Sequence, residues 1–346
     1  MELKYLPAAW KRGTDFLGTR YAILCGAMTW VSESNLVAAI SNAGGFGVLA
    51  GGNLPPDLLA KEIAATRRKT NLPFGVNLIT VAPNFRDHID VVIRERAPFV
   101  IFAGSIPSGK DIEQVKAAGA RLLCFAPVLS LARRLIKQGV DALVIEGNEA
   151  GGHIGPVATS VLAQEFLLSI TEVPIFVAGG IGTGEMIAQY LTLGAAGAQL
   201  GTRFVVAEEC VAHPRFKEAF IKAQARDAMP TAQFDPSLPT IPVRAILNEG
   251  SRDFNRLQLE LLNKVKSGEI PREEAQVLLE EFWVGALRRA VVDGDIEHGS
   301  LMAGQSVAFV KKIEPVRDII ADLVSAAERK LAELAHGGPV LPAGQA

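Results

Sequence analysis

The chain has 346 residues, enough for one large α/β domain or two ordinary ones, and its 49% hydrophobic content is ample for a buried core. Its 35 basic and 37 acidic residues are well mixed and give a formal net charge of −2. That excludes a basic stripe for nucleic acid or a polybasic membrane anchor and leaves small molecules or proteins as partners.

Cys25, Cys124 and Cys210 are few, odd in number and far apart, so neither a disulfide framework nor a CxxC metal site is expected, and a reducing cytoplasm fits best. Charges interrupt the opening MELKYLPAAWKRGTDF where a signal peptide would be apolar, and no later run reaches the roughly 18 apolar residues of a membrane span. A soluble protein that is not exported is expected.

From Tyr21 onward, short apolar or β-branched runs alternate with longer segments of helical period. The expected strands are Tyr21–Leu24, Phe46–Leu49, Phe74–Leu78, Phe99–Phe102, Leu122–Phe125, Ala142–Ile145, Ile175–Ala178 and Ala198–Leu200. Between them lie amphipathic stretches such as Asn35–Ala43, Pro55–Lys69, Ile112–Ala118, Leu129–Gln138, Thr159–Ile170 and Gly184–Leu193. The strands read as continuous apolar runs, as they should when both faces of a parallel sheet are covered. Eight βα units point to a (β/α)8 TIM barrel. A doubly wound open sheet fits less well, because no GxGxxG stands between a strand and a helix.

After Arg203 the pattern turns helical. A turn-rich MPTAQFDPSLPTIP at 229–242 precedes expected helices over Arg244–Lys266 and Arg272–Val292, and a charged helix follows over Glu314–Ala335. The division expected is a barrel over 1–228, a helical cap or substrate region over 229–292, a segment packing back on the barrel over 293–335, and a disordered tail over 336–346.

In such a barrel the chemistry lies at the carboxyl ends of the strands. The first strand is followed by Cys25-Gly26-Ala27-Met28-Thr29-Trp30, the second by Ala50-Gly51-Gly52-Asn53, and the third carries Asn77. Cys25 reads as barrel packing, because nothing marks a paired histidine. Met28 and Trp30 suit either a core or an apolar wall against a flat ring. The seventh strand ends in Ala178-Gly179-Gly180-Ile181-Gly182 and the eighth in Gly201-Thr202-Arg203, where glycine amides and a helix N-terminus would cradle a phosphate. That phosphate could belong to a substrate or to a flavin.

The richest stretch follows the sixth strand: Ile145-Glu146-Gly147-Asn148-Glu149-Ala150-Gly151-Gly152-His153-Ile154-Gly155. His153 is the one histidine of five at an expected strand end. His88 sits in a charged helix, His213 precedes Pro214, His298 lies in a turn and His336 in the tail. His153 could transfer a proton or hydrogen-bond a substrate carbonyl. Of Glu146 and Glu149, one is expected to bind loop N–H groups and the other to orient the histidine. No metal is expected, since a lone histidine here lacks ligand spacing.

These motifs, together with Ser41-Asn42-Ala43-Gly44-Gly45, Pro73-Phe74-Gly75-Val76-Asn77, Gln199-Leu200-Gly201-Thr202-Arg203-Phe204 and Gly299-Ser300-Leu301-Met302-Ala303-Gly304-Gln305, resemble the FMN-dependent barrel oxidoreductases. That family includes FabK-type enoyl-acyl carrier protein reductases and nitronate monooxygenases (2-nitropropane dioxygenases), and the resemblance spans nearly the whole chain. It implies that Ala27, Met28 and Thr29 lie along the isoalloxazine, that Asn77 hydrogen-bonds the flavin and Gly151 lines it. It implies further that Gly179, Gly180, Gly201 and Thr202 hold the FMN phosphate and that His153 contacts substrate as the catalytic residue. Met302 and Gln305 would close the pocket.

Within the family, Glu146-Gly147 before the EAGGH core and Ile154 after it follow the FabK type, as do the GSLMAGQ segment and Val243-Arg244-Ala245-Ile246 with Arg252-Asp253-Phe254. Nitronate monooxygenases carry glutamine and arginine at the two flanking positions. Two departures are Ala27, where a second glycine is usual, and Asn148, where the reductase loop has methionine. The resemblance therefore implies an enoyl-ACP reductase of fatty acid synthesis, using FMN with NADH or NADPH as reductant on a trans-2-enoyl thioester. The alternatives are a nitronate monooxygenase and an NADH:quinone reductase. A homodimer is implied, and an acyl carrier protein could meet Arg203, Arg215 or Lys217.

Overall fold

A computed structural model describes residues 3–337; most of the expected tail, from 338 on, lies outside the described residues. Eight parallel strands close into a barrel: β1 (Ile23–Cys25), β2 (Phe46–Ala50), β3 (Phe74–Ile79), β4 (Phe99–Ala103), β5 (Arg121–Phe125), β6 (Ala142–Glu146), β8 (Ile175–Ala178) and β9 (Gly197–Leu200). Each expected strand is present, with ends moved by two residues at most. The closing pair is β1 with β9, in register Leu24 to Gln199.

Burial explains the composition. Strand interiors such as Leu122, Leu123, Leu143, Val144 and Ile145 are fully buried, since one face fills the barrel and the other meets a helix. The surrounding helices are two-faced. Leu129–Lys137 buries Ala132 and Leu135 and turns Arg133, Arg134 and Lys137 to water, and Leu135 alone contributes roughly 2 kcal/mol by burial. Gly109–Ala117 begins at Ser108, whose hydroxyl accepts the Asp111 amide while the Asp111 carboxylate accepts the Ser108 amide. Ser108→Ala would open that capping box at about 1 kcal/mol.

Helices Leu6–Ala9 and Lys11–Leu17, for which the periodicity had given no expectation, cover the amino-terminal end of the barrel. Phe16 stacks edge-on to Phe99 at the start of β4 and beside Phe176 of β8. The carboxyl-terminal helix Val316–Ala335 packs along helix Gly184–Thr192. Its Glu328 carboxylate accepts the amides of Lys4, Tyr5 and Leu6.

A second core stands over the opposite end of the barrel. Strands β10 (Ala228–Pro230) and β11 (Val243–Ile246) join β7 (Gly152–His153) in an antiparallel sheet of order β10-β11-β7. Helices Glu249–Ser267 and Arg272–Arg288 pack through Val243, Phe254, Leu261, Leu279 and Trp283. Two expectations are corrected here. Arg244 is in a strand, not at a helix start, because β7 and β10 supply its backbone partners and the side chain of Asn248, accepting the Ser251 amide at 3.0 Å, starts the helix at Glu249. Gly152 and His153 are likewise paired strand residues and not free loop.

Candidate active site

At the carboxyl-terminal mouth, the loop after β6 is built on close approaches that only glycine allows. A side chain at Gly147 would fall on the backbone and hydroxyl of Thr159. Gly179, at φ +95°, would place a β-carbon 2.8 Å from the same hydroxyl. Thr159 donates from its amide (2.9 Å) and its hydroxyl (2.7 Å) to the Glu149 carboxylate. The Glu149 carboxylate, expected to bind N–H groups of its own loop or to orient the histidine, instead accepts from Thr159, at the start of the following helix. The main-chain oxygen of Glu149 accepts the Gln305 amide (2.9 Å), and the Gly304 amide donates to Thr202 Oγ1 (3.0 Å). Residues 303–305 therefore tie together the ends of β6 and β9. Thr159 carried no sequence signal, being one polar residue at the start of an ordinary amphipathic helix.

The expected cofactor residues fall around this mouth. Ala27, Met28 and Thr29 follow β1, in a loop stitched by Ser32, whose hydroxyl donates to the Gly26 carbonyl (3.1 Å) and accepts the Met28 amide (3.0 Å). Met28 reaches Gly201 after β9, with its sulfur 3.3 Å from where a β-carbon there would stand. Asn77 lies buried on β3 and gives its amide N–H to the Ile101 carbonyl (3.2 Å). Gly179 and Gly180 follow β8, and the amides of Gly180, Ile181 and Gly182 donate to no acceptor among the described residues. Behind them the helix Gly184–Thr192 begins at Thr183, which caps it. Unpaired amides before a helix N-terminus, beside Gly201 and Thr202, form the donor set that a phosphate takes. The small Ala27 and the apolar Met28, which approaches Gly201, suit a flat ring, so the residues present fit FMN. Gly151 is exposed, and a β-carbon on it would stand 2.6 Å from the Ala303–Gly304 backbone.

Two titratable groups stand out. Glu146 ends β6, paired with Ala178; its carboxylate has no hydrogen-bond or ion-pair partner among the described residues, and burial pushes it up to about 8. His153 pairs in register with Val243, and its Nε2 lies 3.0 Å from Glu280 Oε2. The expected orienting carboxylate was Glu146 or Glu149. It is Glu280, 127 residues away on helix Arg272–Arg288, and no local motif could have disclosed it. Cys25 is fully buried, and burial pushes its thiol far up, so it packs and does not attack.

Other basic and imidazole groups are also reassigned. Arg203 is buried and faces Glu314 (3.6 Å) and Asp322 (3.4 Å), fixing the carboxyl-terminal segment, and Lys217 is buried with Nζ donating to the Ala207 carbonyl (2.7 Å). Neither offers a docking charge, and only Arg215 of the three is exposed. His88 lies on the expected charged helix, Phe85–Arg94, but faces inward, fully buried, and bonds the Leu54 carbonyl through Nε2 (2.7 Å). Arg244 is buried as well, its guanidinium donating to the carbonyls of Asn148 (2.9 Å) and Ala228 (2.6 Å), with burial lowering its pKa. It clamps the glycine loop to the cap.

A nitronate monooxygenase family model matches residues 11–88 and 79–326. Among similar proteins, a (3aS,4S,5R,7aS)-5-hydroxy-7a-methyl-1-oxo-octahydro-1H-indene-4-carboxyl-CoA dehydrogenase of Mycobacterium tuberculosis is 30% identical over 90% of this chain and 94% of its own length. A probable nitronate monooxygenase of Staphylococcus aureus is 26% identical over 91% and 96%. Among solved structures, FabK from Thermotoga maritima superposes with a TM-score of 0.84 at 38% identity, covering 94% of this chain and 98% of that one. With its closed barrel, its glycine-lined mouth and these matches, the chain belongs to the nitronate monooxygenase family of oxidoreductases.

Proposed function

We propose that this protein is an FMN-dependent NAD(P)H oxidoreductase that reduces the carbon–carbon double bond of a trans-2-enoyl thioester, as an enoyl-ACP reductase does. The observation that carries this reading is the likeness to FabK from Thermotoga maritima along nearly all of both chains, with Glu146 and Ile154 flanking the EAGGH core. FMN, when bound, carries the hydride from nicotinamide to the substrate β-carbon. The chain's own work is position and proton handling. Gly179, Gly180, Gly201 and Thr202 would hold the phosphate, Ala27, Met28 and Thr29 the ring, and Asn77 its polar edge. On this reading His153 polarises the thioester carbonyl or delivers the α-proton. An acyl carrier protein as thioester donor and a homodimer belong to the same reading.

A second reading has its own support, because the mycobacterial relative is named for dehydrogenation of a CoA thioester and matches across 90% of this chain. The same site would then work on a ring-bearing acyl-CoA. A nitronate monooxygenase is the third. One preparation tests all three: NADH and NADPH consumption with crotonyl and longer enoyl thioesters, acceptor reduction with a cyclic carboxyl-CoA, and oxygen uptake with an alkyl nitronate. Fast oxygen uptake with an inert thioester would overturn the lead. His153→Ala is expected to lower thioester turnover about 100-fold, within the range of lost acid–base catalysis, while the FMN absorbance stays; loss of FMN instead would make His153 a scaffold residue.

A further inference from the structure

We infer that Glu280 of the cap is the positioning residue for His153, selecting the imidazole tautomer that presents Nδ1 to substrate. The inference rests on the reading of His153 as the residue that contacts substrate. Its observation is the 3.0 Å approach of His153 Nε2 to Glu280 Oε2. A carboxylate only accepts, so Nε2 carries the hydrogen, and Nδ1 is the ring atom left to exchange a proton.

Both partners are mounted on the second core. His153 is in register with Val243, and fully buried Val243 belongs to the same core as Leu279 and Trp283, which flank Glu280 on its helix. Trp283 stacks on Phe254 with ring centroids 4.2 Å apart, which fixes the rotation of that helix. The loop that carries His153 is tied to the barrel through Glu149 and Thr159 and to the cap through Arg244, so the cap sets the imidazole's orientation. Both side chains are about half exposed, at 45% and 49%, and such a pair adds little to folding. Its effect is on which nitrogen holds the proton. After hydride reaches the β-carbon from NAD(P)H, the Nδ1–H bond of the imidazolium breaks and its proton bonds to the enolate α-carbon. That leaves a neutral ring with its hydrogen on Nε2 and the saturated thioester. The Glu280 carboxylate accepts the Nε2 hydrogen throughout, so the neutral ring left by the transfer is the Nε2–H tautomer.

The test is Glu280→Gln in the full-length holoenzyme. A glutamine amide both donates and accepts, so it no longer selects Nε2–H. The expected result is a fall of about 10–100-fold in kcat for the enoyl thioester, within the span of acid–base effects. The FMN spectrum and NAD(P)H oxidation with an artificial one-electron acceptor should be unchanged, and Glu280→Asp should restore part of the loss. In a His153→Ala background the same substitution should have no further effect. Nitrogen-15 shifts of the His153 ring give a readout apart from turnover: hydrogen on Nε2 in the parent, mixed tautomers in the variant. Undiminished turnover in Glu280→Gln, an equal loss without His153, or an Nδ1–H parent would each overturn the inference. A parent that reduces no thioester would instead overturn the proposed function, and the nitrogen shifts would still decide the tautomer.

Discussion

Replacing Glu146 by glutamine should make the protein more stable in mild alkali, in a way that reports the state of one carboxyl. Burial pushes that group from its ordinary 4.5 up to about 8. Between those values the unfolded chain has lost the proton and the folded chain keeps it, so the folded form binds more protons and stability falls as pH rises. The stabilising contribution is therefore whole below about pH 4.5 and is gone once pH passes 8. At about 1.4 kcal/mol per pH unit the full span is about 5 kcal/mol, an upper bound because the residue is only part-buried at the barrel mouth. Glutamine keeps the shape and a donor N–H but cannot ionise. The assay is urea unfolding of parent and Glu146→Gln from pH 5 to 9, with equal FMN content in both. Midpoints should nearly coincide at pH 5 and separate in favour of the variant toward pH 8, by up to more than 1 M for a slope of about 3 kcal/mol per molar urea. Since the parent carboxyl is neutral below pH 8, the variant should also keep most of its FMN and turnover at pH 7. Parallel midpoint curves would refute a raised carboxyl at this position.

Gly147→Ala should be more damaging than its size suggests. The new methyl meets the Thr159 backbone and hydroxyl, so it displaces the partner of Glu149, and a loss of about 1–3 kcal/mol with weakened FMN retention is expected by thermal unfolding and by visible absorbance after gel filtration. Thr202→Val removes the acceptor of the Gly304 amide; about 1–3 kcal/mol of stability should go, and limited proteolysis should show faster cutting near residues 300–305.

The order of buried runs is written in the chain. Eight apolar segments, each buried on both sides, separated by two-faced helices, admit few folds, and the barrel then fixes which glycines stand at the catalytic end. That is why Gly179, Gly180, Gly201 and Thr202 could be placed together from spacing alone. The amino-terminal helices were not legible: they are four and seven residues long, too short for helical period to register, and are held by Trp10, Phe16 and Leu17 against the barrel. The β11 strand was missed for a similar reason, four residues whose partners lie elsewhere in the chain.

The sequence by itself determined the barrel and which glycines follow its strands at the carboxyl-terminal end, because those depend on periodicity and on residues that follow strands. Only the tertiary structure decided which carboxylate faces His153, that Arg203 and Lys217 are interior, and that Ala303 and Gly304 fill the space beside Gly151. Each of those is a contact between segments far apart in the chain, and side chains of one chemical type, such as Glu146, Glu149 and Glu280, become distinct only when packing brings each its own neighbours.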